Sequence, residues 1–216
     1  LEITENIYGK DHEFTASRLN NIAILYNDQK LYTKAEFFYK KALDISIKKS
    51  SPKNTLALRL NNLGRHYQDR EIFEESIPLL KKALKINKNY YGKYHPKTLA
   101  SQLSLAFSNS SNGNHLDNKE ILFDALDIET YLIQREAPFL PLNERELFSN
   151  NISGGYNYNF SYAFKTDFGK ELALLTRLNR HGLLAEIERK QFELSKTSNL
   201  EKSLVDQLKI LTKAVS

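Results

Sequence analysis

The apolar positions of this chain recur three and four residues apart, the spacing of an amphipathic helix. Leu19, Ile22, Ala23 and Tyr26 share one helical face. After a polar break, Ala35, Phe38, Tyr39, Ala42, Leu43 and Ser46 share a face of a second helix. The pattern predicts a pair of helices joined by a short turn.

That pair repeats. Leu19-Asn20-Asn21-Ile22-Ala23 returns as Leu60-Asn61-Asn62-Leu63-Gly64, 41 positions on. Tyr39-Lys40-Lys41-Ala42-Leu43-Asp44-Ile45 returns as Leu80-Lys81-Lys82-Ala83-Leu84-Lys85-Ile86 at the same offset. LEITENIYGKDH at 1–12 returns as LKINKNYYGKYH at 84–95, with seven of twelve residues identical. A weaker third copy lies 42 further, where Leu105-Ala106 matches Leu63-Gly64 and Ala125-Leu126-Asp127-Ile128 matches Ala83-Leu84-Lys85-Ile86. Small residues at Ala23, Gly64 and Ala106 mark where two helices cross closely. Ala35, Ser76, Ala42, Ala83 and Ala125 mark the partner helix, and bulky Tyr39, Leu80 and Leu122 fill the layer between.

This alternation of small and large slots resembles the tetratricopeptide repeat (TPR), whose usual period is about 34 residues. The longer period here, with LNN-x-A-x-LY, KKAL-x-I and YG-x-x-HP-x-T, is similar to the kinesin light chain variety. The resemblance implies an all-α fold, a right-handed TPR superhelix of helix-turn-helix repeats. Copies are expected near 15–50, 56–91 and 97–135 behind a partial first repeat, in a domain spanning 1–136. The third copy departs from the pattern, with Asn109 at the turn tyrosine and Asn118 at the first small slot of its second helix. It reads as a terminal repeat whose outer face meets something other than another repeat. Residue 1 falls inside a repeat, so a fragment of a longer array is expected.

Beyond 136 the repeat is gone. Pro138 and Pro141 end the preceding helix. Asn143 and Glu146 then form a capping box. Gly154-Gly155 and the aromatics Tyr156, Tyr158, Phe160 and Tyr162 suit a kinked buried helix better than a strand, which would lack a partner. Phe168, Leu172, Leu175, Leu178, Leu184, Ile187 and Leu194 stripe a long helix starting at Asp167. After a turn capped by Ser198 and Glu201, Leu200, Leu204, Leu208 and Leu211 stripe another, so 167–216 reads as a helical hairpin. Glu171, Leu172, Ala173, Leu174, Leu178, Asn179, Arg180, Gly182, Leu183, Leu184, Glu186, Ile187, Glu188 and Gln191 resemble the connector of bacterial, especially cyanobacterial, TPR–CHAT proteins. That resemblance covers about 144–216 and implies a caspase-like CHAT domain after Ser216. His181 stands where the connector commonly has lysine.

Composition narrows the chemistry. The 216 residues are 41% hydrophobic and 26% charged, with a net charge of +5, which excludes wholesale disorder. No run of 18 apolar residues can form a transmembrane helix. LEITENIYGKDHEF lacks the shape of a signal peptide, and the expected location is cytoplasmic. The absence of methionine fits a processed or trimmed chain. With no cysteine there is no thiolate nucleophile, and no G-x-S-x-G elbow supplies a serine route. His12, His66, His95, His115 and His181 have no metal-ligand spacing. His12 and His95 occupy equivalent positions and read as turn residues. No catalytic residue, metal or cofactor is expected.

The first helices of successive TPRs line a groove. The face away from the packing residues holds Ser17, Asn20, Ile24 and Asn27 in the first copy, and Leu58, Asn61, Arg65 and Gln68 in the second. The resemblance to kinesin light chain implies that the asparagine of LNN faces this groove. An amide offers donors and an acceptor, which suits the backbone of an extended peptide, and Arg65 adds a fork for a carboxylate. The expected function is protein recognition and scaffolding, as the regulatory region of a CHAT-type protein, with a stand-alone adaptor as the alternative. Lys81, Lys82, Lys85, Lys88, Lys93 and Lys97, interleaved with Tyr90, Tyr91 and Tyr94, suggest a nucleic-acid module. Lysine is the ordinary residue of a solvated helix face, and several of these are repeat consensus, so nucleic acid is disfavoured as a partner.

Overall fold

A computed structural model describes residues 1–137, 140, 144, 147–148 and 166–179. Among these residues all regular structure is helical. The elements are α1 (Glu2–Tyr8), α2 (Glu13–Asp28), α3 (Tyr32–Lys48), α4 (Lys53–Asp69), α5 (Phe73–Tyr91), α6 (Pro96–Ser111) and α7 (Asn118–Glu136), followed by helical residues 167–179. The pairs α2–α3 and α4–α5 are the first two sequence copies, α6 opens the third, and α1 corresponds in sequence to the last turns of α5.

The turns carry the period in their dihedrals. Lys30 (φ 60°), Glu71 (φ 60°) and Gly113 (φ 79°) sit at equivalent points between the two helices of each pair. All three are left-handed, a conformation that costs L residues but reverses the chain tightly. The junctions before α2 and before α6 use a second device. Gly9 and Gly92 combine φ near 90° with an extended ψ, which only glycine adopts readily. His12 and His95 then cap α2 and α6, their Nδ1 atoms accepting from the backbone of Phe14 and Lys97 at 3.2 and 3.1 Å. Thr15 and Thr98 close each loop by donating to the carbonyls of Gly9 and Gly92. The two histidines are therefore helix caps.

The chain divides into two compact units, Leu1–Asn118 and Lys119–Ser216. The division falls at the start of α7, whereas the sequence reading put a boundary after residue 136. In the first unit, Ala23, Ala35, Tyr39, Leu63 and Tyr67 form one core cluster, and Ala16, Leu19, Ala42 and Ile45 another. The small slots admit the close crossings. A Cβ on Gly64 would lie 2.8 Å from a methyl of Leu80, itself fully buried. The third copy solves the same crossing with different residues. Ser76 on α5 donates to the Gly64 carbonyl at 2.8 Å, and Asn118 donates to the Ala106 carbonyl at 2.7 Å. Asn109 stands where the second copy has Tyr67, and it donates to Asn118 at 3.0 Å. Two departures from the repeat pattern thus bond to each other.

In the second unit, Ile133 and Ala137 pack with Phe148. Downstream side chains thus complete the core around α7. Phe168 and Leu172 are buried, as their stripe predicts, but Leu178 of the same stripe is exposed, as is Leu174 beside it. Asn179 donates to Thr130 at 3.2 Å. The expected cap at Asn143 and Glu146, the aromatic stretch 154–162, the leucines of 184–194 and the hairpin turn and helix of 196–216 lie outside the described residues.

Candidate functional site

The first helices α2, α4 and α6 lie side by side, α4 touching both neighbours. Each presents two rows of polar residues, and the structure separates them. One row lies in the seams. Asn20 is only 5% exposed, and its Oδ1 accepts from Asn62 at 3.1 Å. Asn27 donates to Asp69 at 2.7 Å and touches His66 Nδ1 at 2.6 Å. Asn61 donates to Ser101 at 3.0 Å. Gln68 donates to the Ser104 carbonyl and to Ser108, both at 2.7 Å. The asparagines singled out in the sequence therefore bridge neighbouring helices, and Asn20 is buried rather than displayed.

The other row faces outward. Ile24, Arg65 and Phe107 occupy the same register position on successive helices, and all three are exposed. One turn earlier stand Asn21, Asn62 and Ser104, and before them Ser17, Leu58 and Ala100. Leu58 is 54% exposed. Of the sequence-derived residues, Ser17, Ile24, Leu58 and Arg65 belong to this row, with Ser17 half-buried. Phe107 and Asn62 were missed. Phe107 lies at the Arg65 position advanced by 42, so the period alone could have found it.

Behind the rows sits an ion pair that the sequence reading did not single out. Arg59 is 2% exposed and enters the seam between the first two pairs. It donates to Glu13 at 2.7 Å, to Ser17 at 3.0 Å, and to Ser46. Ser51 bonds the other Glu13 oxygen. Burial pushes the Glu13 carboxyl up, but the bonds from Arg59 and Ser51 outweigh it and leave its pKa below the ordinary value. The equivalent place one repeat on holds Asn87, donating to Ser101 at 2.8 Å.

His66 is 1% exposed, among the rings of Tyr32, Tyr39 and Tyr67. Its Nε2 is buried without a partner. Burial and the charge of Arg70 lower its pKa, so the ring is neutral. Nearby, burial raises the Glu36 carboxyl, but hydrogen bonds from Lys40, Tyr67 and Arg70 prevail and hold it at about 2. Burial and the charges of Asp28 and Asp69 push Tyr39 up to about 12. These groups lie together in the seam between α3 and α4. Among the described residues no group of three His, Asp or Glu side chains could hold a metal ion, and no helix is long and apolar enough to cross a membrane.

Stacked helix pairs with an outward row on the first helices define a helical-repeat scaffold, the class that recognises other proteins through an extended surface. The family model of the tetratricopeptide repeat matches residues 1–48 and 55–127, and the chain belongs to that family. The fold is similar to the nearly identical TPR-like repeats of a proposed kinesin light chain from Podosopora anserina. A point-substituted form of that protein superposes with a TM-score of 0.63 and its parent with 0.56. Each is 18% identical, covering 84% of this chain and 82% of the other. No curated protein matches the sequence significantly.

Proposed function

We propose that the outward row on α2, α4 and α6 receives an extended segment of a partner protein. The observation that carries this reading is the segregation of the two rows. Asn20, Asn27, Asn61 and Gln68 are engaged in the seams. Ser17 and Asn62 at the edge of the other row also reach into the seam, but Ile24, Leu58, Arg65 and Phe107 are exposed beside them. Apolar groups exposed in a contiguous row mark an interaction surface. In this reading Ser17, Ile24, Leu58 and Arg65 contact the partner, joined by Asn62 and Phe107, and the bridging amides support them from behind. Arg65 supplies a fork for a carboxylate, and Asn62 an amide for a peptide group.

The resemblance of Glu171, Leu172, Ala173, Leu174, Leu178 and Asn179 to a CHAT connector supports placing this scaffold in the regulatory region of a CHAT-type protein. The test is selection of random displayed peptides on the pure 216-residue chain. A consensus should emerge on the wild type and be lost on Arg65→Glu and on Phe107→Ser, each still folded by circular dichroism. A consensus that survives both substitutions would refute the groove.

A further inference from the structure

The positive charge of this chain is concentrated in one stretch. Residues 76–116 hold six lysines and no aspartate or glutamate, a sum of +6. The whole chain carries +5, so everything else sums to −1. The structure puts much of that charge on one element. Along α5, Ser76, Leu80, Ala83 and Asn87 are buried, while Lys81, Lys82, Lys85 and Lys88 are exposed on the opposite side. Lys81, Lys82 and Lys85 make no ion pair among the described residues. Tyr90 is exposed in the last turn, edge-on to Tyr91, and the following loop brings Lys93 and Tyr94, the Lys93 ammonium over one face of the Tyr94 ring at 5.4 Å. Lys97 opens α6, its ammonium over the Tyr91 ring at 4.8 Å. This face lies on a second helix, apart from the outward row of α2, α4 and α6.

We infer that the α5 face binds single-stranded nucleic acid, the lysines neutralising phosphates while Tyr90 and Tyr94 stack on bases. Three features favour this occupant. Protein interfaces are enriched in arginine and depleted in lysine, and the stretch has six lysines and no arginine. The exposed part of α5 between Pro78 and Tyr90 has no large apolar side chain to enter a lipid surface. Exposed tyrosines beside a lysine stripe supply the stacking that single strands use and a duplex does not.

The test is fluorescence anisotropy of a labelled 20-nucleotide oligothymidylate with the full chain, from 50 to 300 mM salt. The expected result is binding whose log K falls with log salt by about 0.7 per neutralised phosphate. Replacing Lys81, Lys82 and Lys85 by glutamine should reduce that slope by about 2, since three contacts are lost. Tyr90→Ala should weaken binding about tenfold and leave the slope unchanged. No binding at 50 mM salt, or binding indifferent to the triple substitution, would overturn the inference. So would equal affinity for duplex DNA or for polyglutamate, which would mark a general anion surface or an acidic-protein site. Circular dichroism of each variant separates a lost site from a lost fold. Arg65→Glu, which tests the groove, should leave oligonucleotide binding intact.

Discussion

At the scale of single residues, the seams between repeats depend on a few buried polar groups whose partners are some forty positions away. Arg59 is the most exacting. Removing it leaves one Glu13 oxygen and Ser46 without their donor, though Ser51 still holds the other oxygen, and breaking a pair buried mainly on the arginine side costs about 3 kcal/mol. Arg59→Ala should lower the melting temperature by roughly 6–12 °C, taking 3 kcal/mol and a chain of this length. A fall of under 2 °C would show the seam held by apolar contacts alone. His66 makes stability depend on pH. Its folded pKa lies below the unfolded value of about 6.5, so between the two the unfolded chain binds more protons. Stability is therefore full above about pH 6.5 and declines as pH falls through that window. Glu13 and Glu36 act lower down. Their folded values are depressed, so their contribution is complete above about 4.5 and is lost as pH falls below it, for Glu36 toward about 2. Urea titrations between pH 5 and 7.5 should show the first loss, and His66→Gln should flatten it. An unchanged slope in that variant would remove the imidazole from the account.

At the scale of elements, each crossing uses the same geometry with its own pair of residues. Tyr67 and Ser76 of the second copy stand at the positions that Asn109 and Asn118 take in the third, a large residue with a small one against two of middle size. Installing the second-repeat pair in the third, Asn109→Tyr with Asn118→Ser, tests whether the two are coupled. Asn109→Tyr alone overpacks, at about 1–3 kcal/mol. The double variant should recover part of that loss, with a coupling of about 1 kcal/mol or more in a double-mutant cycle. Strict additivity would mean the two sites do not share a slot. The helix pairs were legible in the sequence because apolar spacing, small slots and capping histidines recur at one offset. The displayed face was legible only in part. Successive residues on a helix differ by about 100°, so Asn20 and Asn21 fall on different sides of the boundary between seam and surface, while Asn61 and Asn62 reach opposite neighbours, Ser101 on α6 and Asn20 on α2. Which asparagine is buried depends on the neighbouring helix, and that neighbour is remote in sequence. Ser46–Arg59 and Asn87–Ser101 left one trace, two unlike polar pairs at equivalent positions, which only the period reveals.

At the scale of the whole molecule, this TPR chain has two compact units and a repeat array whose inner polar residues build while its outer ones are displayed. The central claim is that stability and recognition reside in adjacent but separate rows. The most direct test is a paired one, thermal melting and titration with a peptide selected on the wild type, for Asn20→Ala and Arg65→Ala. Asn20→Ala removes the buried end of a bridge and leaves the half-buried Asn62 amide without its acceptor, at a cost of about 1 kcal/mol. It should lower the melting temperature by a few degrees and preserve the peptide's sequence preference. Arg65→Ala should melt within about 1 °C of the wild type, as exposed substitutions do. Its affinity should fall about tenfold, a charge-assisted bond of about 1.4 kcal/mol. The opposite outcome, a destabilised Arg65→Ala with full affinity beside a stable Asn20→Ala that no longer binds, would contradict the assignment of both rows.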